Sequence, residues 1–382
     1  MLTECAVIVR LTLLAWLVTM LSGCGTLYVA QAARGQWQVM HARRPIAKVI
    51  ADPSTPEAVK ARLTEVSAAR DFASRALALP DNSSYRTYAD VKRPYVVWNV
   101  VAAPEFSVEP KRWCFPIAGC VAYRGYFTEA KARKFAENLR AQGFDVFVGG
   151  VPAYSTLGKF ADPVLNTMLG YGDSELAAIV FHELSHQLVY VAGDSQFNEA
   201  FAVAVEETGL QRWLTLRGHE DELQRYKSRR TRQQQFIALF TRARARLATL
   251  YSQKLPEETL RERKKAIFAS LDSDLRELEK RLGVRSAYRD WAEDGLNNAH
   301  LASVATYYDC VPGFERLLTQ HGGDLPSFYA AVRELARKPY EERHSLLCRA
   351  PPPPPAQPFG EPPSQPPPAA APPSSDQLNE RR

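Results

Sequence analysis

The 382-residue sequence has no hydrophobic run long enough to cross a lipid bilayer. Its N-terminal apolar run, Leu11–Leu21, has eleven residues, whereas a transmembrane helix needs about 20. Glycine is scarce, with 20 residues, and neither sign of charge dominates, with 48 basic and 42 acidic side chains. Together with 46% hydrophobic and 24% charged residues, these values exclude a polytopic membrane protein, a collagen and a wholly disordered chain.

Two excesses are confined to short parts of the chain. Residues 351–382 hold 13 of the 27 prolines, so this tail is expected to be disordered and to serve as a spacer, as a ligand for an envelope partner, or as a dispensable extension. Residues 217–283 hold 17 basic and 10 acidic side chains, a net charge of +7. The whole chain has a net charge of +6, so this segment accounts for all of its excess positive charge. Heptad-like apolar spacing on both sides of Leu255-Pro256 predicts a helical hairpin here. Its charges are expected on solvated faces, and no nucleic-acid partner is expected.

An export signal is expected over residues 1–23. A basic residue precedes the apolar run, whose length is typical of a signal peptide core, and Leu21-Ser22-Gly23-Cys24 resembles the bacterial lipobox. That resemblance implies cleavage before Cys24 and acylation of this cysteine, which would anchor the protein to a membrane. Gly25 stands where an aspartate would signal retention at the inner membrane, so the outer membrane facing the periplasm is expected. An ordinary signal peptide with a chance cysteine is the alternative.

Four further cysteines remain after the expected cleavage: Cys114, Cys120, Cys310 and Cys348. An even number in an oxidising compartment favours disulfides, and four cysteines allow three connectivities. A bond between Cys114 and Cys120, closing a short loop around Pro116, is the preferred pairing, and free buried thiols are the alternative. The Cys-x5-Cys spacing is not that of a zinc knuckle.

The remaining patterns predict an α+β protein that is mainly helical. Residues 28–79 have helical periodicity and no strand signal. A helix is expected next over Thr128–Gln142. A small sheet is expected from four extended segments: Tyr95–Val101, Cys120–Phe127, Asp145–Val148 and Val151–Leu157. Helices dominate again from Asp173 onward. Residues 24–350 are therefore expected to form one body, with a small sheet before a helical half that carries the charged hairpin.

One helical pattern, with an expected N-cap at Asp173 or Ser174, contains the motif H-E-x-x-H at residues 182–186. Residues four apart share a helix face, so His182 and His186 can bind one metal ion. Glu183 lies beside them and can reach a water molecule at that ion.

A turn signal and a second amphipathic helix follow this motif. Glu199 lies near the start of that helix and can fold back to the same metal. Two histidines and a glutamate form a known catalytic zinc set, so Glu199 is predicted to be the third ligand; a solvated first-turn carboxylate is the alternative. Glu206, two turns later, is predicted either to support a ligand histidine or to lie at the surface. Glu207 is predicted to be exposed.

The motif H-E-x-x-H followed by N-E-x-F-A, here residues 198–202, resembles the gluzincin metallopeptidases. More specifically, the sequence is similar to a family of predicted aminopeptidases that occur as lipoproteins in Gram-negative bacteria. This resemblance runs from Cys24 to about Arg349. Besides the zinc motifs, it is carried by Gln31–Gln36, Phe115–Phe127, Ala153–Gly158, Asn297-Asn298-Ala299 and Val311-Pro312.

The resemblance implies a zincin-like fold and hydrolysis of peptide bonds by a zinc-activated water, with Glu183 as general base. It also implies a downstream tyrosine or histidine that stabilises the oxyanion, for which Tyr307 is the first candidate and Tyr308 the second. In zincins the strand before the metal helix often lies beside the substrate. Tyr154-Ser155-Thr156 are therefore candidate substrate-binding residues, with a plain connecting loop as the alternative.

Two departures from the large zinc aminopeptidases leave the type of peptidase open. The stretch between His186 and Glu199 is shorter here, which requires a tighter loop. The Gly-x-Met-x-Asn loop that holds the free amine of the substrate is absent, so Asp162 or Glu206 would have to replace it. An aminopeptidase of the envelope is expected. The alternatives are an envelope endopeptidase and a noncatalytic lipoprotein with a structural zinc site.

Overall fold

The computed structural model describes residues 24–115 and 119–348. The signal peptide expected over 1–23 and the proline-rich tail expected over 351–382 lie outside these residues, as do residues 116–118 and the side chain of Cys24. The described residues belong to one compact unit. Within these ranges, no helix is both long enough and apolar enough to span a membrane.

The first half of the chain mixes helices with short strands. In order, its elements are α1 (Cys24–His41), β1 (Arg43–Pro45), α2 (Ile46–Ala51), α3 (Glu57–Ala76), β2 (Thr87–Ala89), β3 (Val97–Pro104), β4 (Trp113–Phe115), β5 (Gly119–Val121), β6 (Arg124–Tyr126), α4 (Glu129–Arg140), β7 (Phe144–Val151) and β8 (Val164–Leu165).

The second half is helical. After a short 3-10 turn it contains α5 (Asp173–Leu188), α6 (Ser195–Leu216), α7 (Glu220–Tyr251), α8 (Glu257–Leu282), α9 (Arg289–Asp294), α10 (Asn298–Tyr308), α11 (Val311–Gln320), α12 (Leu325–Ala336) and α13 (Tyr340–Leu347). The predicted fold class, α+β and mainly helical, is confirmed.

The strands that the structure describes form three small sheets, with the orders β1-β2-β8, β6-β3-β7 and β4-β5. The long central pair is antiparallel, and β3 matches β7 over its full length, from Val97 opposite Val151 to Pro104 opposite Phe144. Because side chains alternate along a strand, Val100 packs on α4 whereas Val101 packs on α10. The sheet therefore lies between these two helices.

Three sequence predictions about strands are wrong. Strand β1 interrupts the segment 28–79, where no strand was expected, because it pairs with distant β2. The stretch Cys120–Phe127 forms two short strands, β5 and β6. Only Val151 of the stretch Val151–Leu157 belongs to a strand, because Pro152 has no amide hydrogen for a ladder and Thr156 donates its amide to Asp162 instead, at 2.8 Å.

The predicted charged hairpin is present as α7 and α8, with Pro256 as the N-cap of α8 and Gly283, at a φ of 65°, as its C-cap. Its buried seam consists of Phe236, Leu239, Phe240, Ala243, Leu247, Leu250, Leu260, Ile267, Phe268, Leu271, Leu275 and Leu278. The same cluster includes Leu301 and Val304 of α10. The hairpin therefore packs against the body of the protein.

The largest core cluster surrounds α5 and α6. A glycine, Gly209, stands where α6 passes closest to α5 and to the segment after α3. A Cβ atom there would lie 2.7 Å from Leu77 Cδ1 and 2.9 Å from Phe181 Cδ2. This close approach fixes the spacing of the two helices that carry the site described next.

Candidate metal centre

Helix α5 brings His182 and His186 onto one face, one turn apart. The helix begins at Asp173, with Gly172 as its N-cap, so the expected cap at Asp173 or Ser174 is displaced by one residue. Asp173 and Glu175 in the first turn complement the helix dipole. The opposite face is buried in the core through Leu176, Ala177, Val180, Phe181 and Leu184.

Helix α6 carries Glu199 just after its first turn. Its N-cap is Asp194, whose carboxylate accepts a hydrogen bond from the Phe197 amide at 3.1 Å. Asn198 closes the preceding loop, because its side chain bonds both the amide and the carbonyl of Val191 at 2.8 Å. These bonds hold the short connection that returns Glu199 to the histidines.

The donor atoms of His182, His186 and Glu199 all lie within 4.8 Å of one another. Glu199 Oε2 is 3.4 Å from His182 Nε2 and 3.7 Å from His186 Nε2. All three side chains are largely buried, with exposed fractions of 15%, 9% and 10%. Two imidazoles and one carboxylate converging in this way can hold a divalent cation.

The electrostatics of the three residues suit a cation. Burial lowers the pKa of His186 to about 4, so this imidazole is neutral and can act as a ligand. Burial alone would raise the pKa of Glu199, but the hydrogen bond with His182 and the nearby imidazoles lower it. Burial alone would lower the pKa of His182, yet bonds to Glu199 and Glu206 raise it well above its usual value. Positive charge is therefore favoured at His182 and disfavoured at His186.

Glu206 lies behind His182 on α6. Its Oε2 atom is 2.9 Å from His182 Nδ1, so it orients the imidazole with Nε2 toward Glu199. The Nδ1 atom of His186, by contrast, is buried with no hydrogen-bond partner within the described ranges.

Glu207 is 9% exposed and pairs with Arg230 at 2.5 Å. The prediction that Glu207 is exposed is therefore wrong.

Glu183 follows His182 directly and is 8% exposed. Burial raises its pKa to about 8; the charge of His182 opposes this shift and that of Glu199 adds to it. This carboxyl group therefore lies within the electrostatic field of the ligand set, in water-poor surroundings.

The two candidate tyrosines face different partners. The charge of Glu199 and then burial raise the pKa of Tyr307 well above its ordinary value. Tyr308 instead accepts a hydrogen bond from Gln233 of the hairpin at 2.8 Å. Sequence reasoning missed Tyr123, whose pKa is raised by burial and then by Glu199. It lies inside the motif Phe115–Phe127, but no residue pattern distinguished it there.

The candidate substrate-binding residues are bonded within the protein. Tyr154 donates its hydroxyl hydrogen to Gln36 of α1. Burial and then the charge of Asp162 raise the pKa of Tyr154, and the charge of Glu183 adds to this shift. Ser155 accepts a hydrogen bond from the Leu157 amide at 3.1 Å. Thr156 donates to Asp162, which is 3% exposed. Burial raises the pKa of Asp162 to about 6.

The loop between α5 and α6 is held on one side by the β4-β5 hairpin. Disulfide Cys114–Cys120 closes this hairpin. Arg112 donates hydrogen bonds to the carbonyls of Cys120 and Gly193. Gly119 has a φ of +71°, and a Cβ on it would lie 2.5 Å from the Gly193 amide nitrogen. Only a glycine allows this contact between two backbones.

The same loop is held on its other side by α13. Asp194 Oδ2 is 2.8 Å from Arg343 Nη2, and Asp194 Oδ1 is 2.9 Å from His344 Nε2. A disulfide between Cys310 and Cys348 ties the end of α13 to the start of α11. Cys310, His344 and Cys348 also cluster closely enough to suggest a metal site. The sulfurs of Cys310 and Cys348 are bonded to each other, so this second group does not fit a metal ion.

A family model, Aminopep, whose description reads "Putative aminopeptidase", matches residues 27–347. No curated protein and no solved structure gives a significant match. The matched range contains both candidate metal helices and every described element from α2 to α13, as well as most of α1. The chain therefore belongs to the Aminopep family.

Proposed function

We propose that the protein is a zinc-dependent peptidase of the cell envelope, and specifically an aminopeptidase. The observation that carries this proposal is the convergence of His182, His186 and Glu199 from two adjacent helices, with Glu183 beside them. Membership of the Aminopep family supports peptidase activity. The ligand set is that of catalytic zinc sites, which leave a coordination position open.

Bound zinc would polarise the substrate carbonyl and acidify a water molecule at the site. In this proposal Glu183 accepts the proton from the attacking water and delivers it to the leaving amine. Tyr307 donates a hydrogen bond to the carbonyl oxygen as negative charge develops on it. Glu206 holds His182 in place through its 2.9 Å bond. Tyr154, near Glu183, contacts the substrate backbone, with Ser155 and Thr156 shaping the loop behind it.

A cavity lies behind His182, on the side of Glu206, and its lining includes none of His182, Glu183, His186 and Glu199. Glu206 and Tyr308 line this cavity of about 760 Å³ between the metal helices and the charged hairpin. Of the two carboxylates that could hold the free amine, Asp162 is bonded to Thr156 and buried. Glu206 is 31% exposed and lines the cavity. Glu206 is therefore the more accessible of the two candidates, although its Oε2 atom is already bonded to His182 Nδ1.

The envelope location is part of the same proposal. The lipobox-like residues predict acylation of Cys24, a membrane partner through that lipid, and an outer-membrane position facing the periplasm. The remaining four cysteines form two disulfides, which suits an oxidising compartment. We further propose that residues 24–350 form the peptidase domain and that the tail 351–382 reaches an envelope partner.

The test compares the full-length protein with Glu183→Gln, and uses Glu277→Gln on the exposed hairpin face as a matched control. All three proteins are expected to retain zinc. Hydrolysis of a mixed peptide library is expected to fall about 100-fold or more in Glu183→Gln, because the proton acceptor is lost, and to be unchanged in Glu277→Gln. Chelation is expected to abolish activity and zinc to restore it.

Two results would redirect the proposal. A zinc-loaded wild type that cleaves no peptide indicates a structural metal site in a noncatalytic lipoprotein. Cleavage of N-acetylated peptides at the same rate as free ones indicates an endopeptidase, because an aminopeptidase needs the free amine. The lack of a Gly-x-Met-x-Asn loop is the observation that keeps the endopeptidase as the second candidate.

A further inference from the structure

Helix α1 has two faces of different character. Its inner face packs on the body: Gln31 bonds the backbone of Gly125 and Phe127 at 3.3 Å, and Val39 is 1% exposed. Its outer face carries Val29, Ala30, Ala33 and Trp37, all of them exposed. Trp37 is 62% exposed and Val29 is 56% exposed. The indole of Trp37 stacks on the imidazole of His41, with ring centroids 5.0 Å apart. Its other face and the side chain of Val29 remain available for contact with another apolar surface.

The sequence segment that contains this face is basic, and the first carboxylate after it, Asp52, pairs with Arg44. Residues 24–51 contain four basic side chains and no carboxylate. Two of the four make contacts nearby: Arg43 bonds the Met40 carbonyl, and Arg44 pairs with Asp52. The other two, Arg34 and Lys48, are exposed. A surface that combines exposed apolar groups with unbalanced positive charge complements anionic lipid.

The position of the face in the chain indicates the same partner. Helix α1 begins at Cys24, the residue that the lipobox resemblance marks for acylation. At about 1.5 Å per residue, Val29 is about 7.5 Å and Trp37 about 20 Å along the helix from that cysteine. A lipid on Cys24 would therefore hold the outer face at the bilayer surface without an intervening linker.

We propose that the outer face of α1, formed by Val29, Ala30, Ala33 and Trp37, lies on an anionic phospholipid surface. Trp37 inserts at the level of the headgroups, where tryptophan side chains are enriched. Arg34 and Lys48 contact lipid phosphates. The helix lies on the membrane, and the acyl chains of the expected anchor supply the insertion. This inference rests on the lipid anchor that is part of the proposed function, and it is independent of whether the protein hydrolyses peptides.

The test uses the full-length, lipid-anchored protein in vesicles whose phosphatidylglycerol and phosphatidylethanolamine carry brominated acyl chains. Bromine quenches tryptophan fluorescence only at short range. Trp37→Phe is expected to remove most of the quenchable emission, and the exposed position makes it a mild substitution. Trp213→Phe removes an indole that is 8% exposed, and is expected to leave the quenchable emission unchanged.

Charge is tested with a second pair of variants. Arg34→Glu/Lys48→Glu is expected to reduce quenching of Trp37 in phosphatidylglycerol vesicles. The control Lys254→Glu/Lys280→Glu, which makes the same charge change on exposed parts of the hairpin, is expected to have no effect. Wild-type quenching is expected to be weaker in phosphatidylcholine and at high salt.

Two outcomes overturn the inference. The outer face does not contact lipid if Trp37 contributes no more quenching than Trp213 does. The anionic component is wrong if quenching is equal in phosphatidylcholine and phosphatidylglycerol. Peptide hydrolysis enters neither measurement, so failure of this inference is distinguishable from failure of the proposed function.

Discussion

Asp194 stabilises the start of the helix that carries Glu199. Its carboxylate caps α6 through the Phe197 amide and pairs with Arg343 and His344 of α13. The side chains of Asp194 and Arg343 are 2% and 7% exposed. Removing one partner of a buried pair leaves the other charge without compensation, which costs about 3–5 kcal/mol. We therefore expect Asp194→Ala to lower the free energy of unfolding by that amount.

Two further variants separate the contributions to this loss. Asp194→Asn keeps an acceptor for the Phe197 amide, so it is expected to cost about 1 kcal/mol less than Asp194→Ala. Asp290→Ala is the matched control, because Asp290 pairs with Arg285 at exposed fractions of 77% and 58%. Loss of such a surface pair costs at most about 1 kcal/mol.

The assay is urea denaturation followed by circular dichroism, together with competitive chelator titration of zinc. Asp194→Ala is expected to bind zinc more weakly than wild type, because the first turn before Glu199 loses its cap. Asp290→Ala is expected to bind zinc as wild type does. The reasoning is refuted if Asp194→Ala and Asp290→Ala unfold within 1 kcal/mol of each other.

The pH dependence follows from the same contacts. Burial alone would raise the pKa of Asp194, but bonds from His344 and Arg343 outweigh burial and lower it. A carboxyl group with a lowered pKa in the folded state stabilises the fold above its unfolded pKa, about 3.9. This stabilisation is lost as pH falls through the folded value. The difference in stability between wild type and Asp194→Asn is therefore expected to be full at neutral pH and to shrink in acid.

The remaining predictions concern the support of the ligand set. Glu206→Gln is expected to weaken zinc binding about 10- to 100-fold in a chelator titration, because the imidazole of His182 loses a charged partner. Cys310→Ser/Cys348→Ser is expected to lower the free energy of unfolding by about 4 kcal/mol in urea, because the pair closes a loop with a sequence separation of 38. Cys114→Ser/Cys120→Ser, with a separation of 6, is expected to cost about 2 kcal/mol.

Each of these predictions is contradicted by a specific measurement. Unchanged zinc affinity in Glu206→Gln would show that the 2.9 Å contact with His182 does not orient the ligand. A larger loss of stability for the Cys114–Cys120 pair than for the Cys310–Cys348 pair would contradict the dependence on loop length.

The local part of the site could be predicted from the sequence. The pattern of α5 places two histidines one turn apart, and a turn followed by a second helix allows Glu199 to return to them. Both inferences depend only on helix periodicity over fewer than 30 residues. The structure brings these donor atoms together.

The sequence predictions are wrong where contacts between residues far apart in the sequence decide the structure. Glu207 is buried because Arg230 of the hairpin pairs with it, a contact that periodicity in α6 cannot show. Strand β1 has only three residues and exists because β2 lies beside it. Tyr123 approaches Glu199 from a turn between two short strands. Each depends on tertiary packing, which overrides local preference.

The loop between α5 and α6 is bounded on both sides by covalent crosslinks. Gly193 contacts the hairpin that the Cys114–Cys120 disulfide closes. Asp194 forms ion pairs with the helix that the Cys310–Cys348 disulfide tethers. Before oxidation, noncovalent contacts alone have to fix the spacing of the histidine and glutamate helices. Because metal affinity includes the free energy of organising the ligands, capture of the ion is favoured after the crosslinks form. In the proposed metalloprotein, oxidation would therefore precede metal loading.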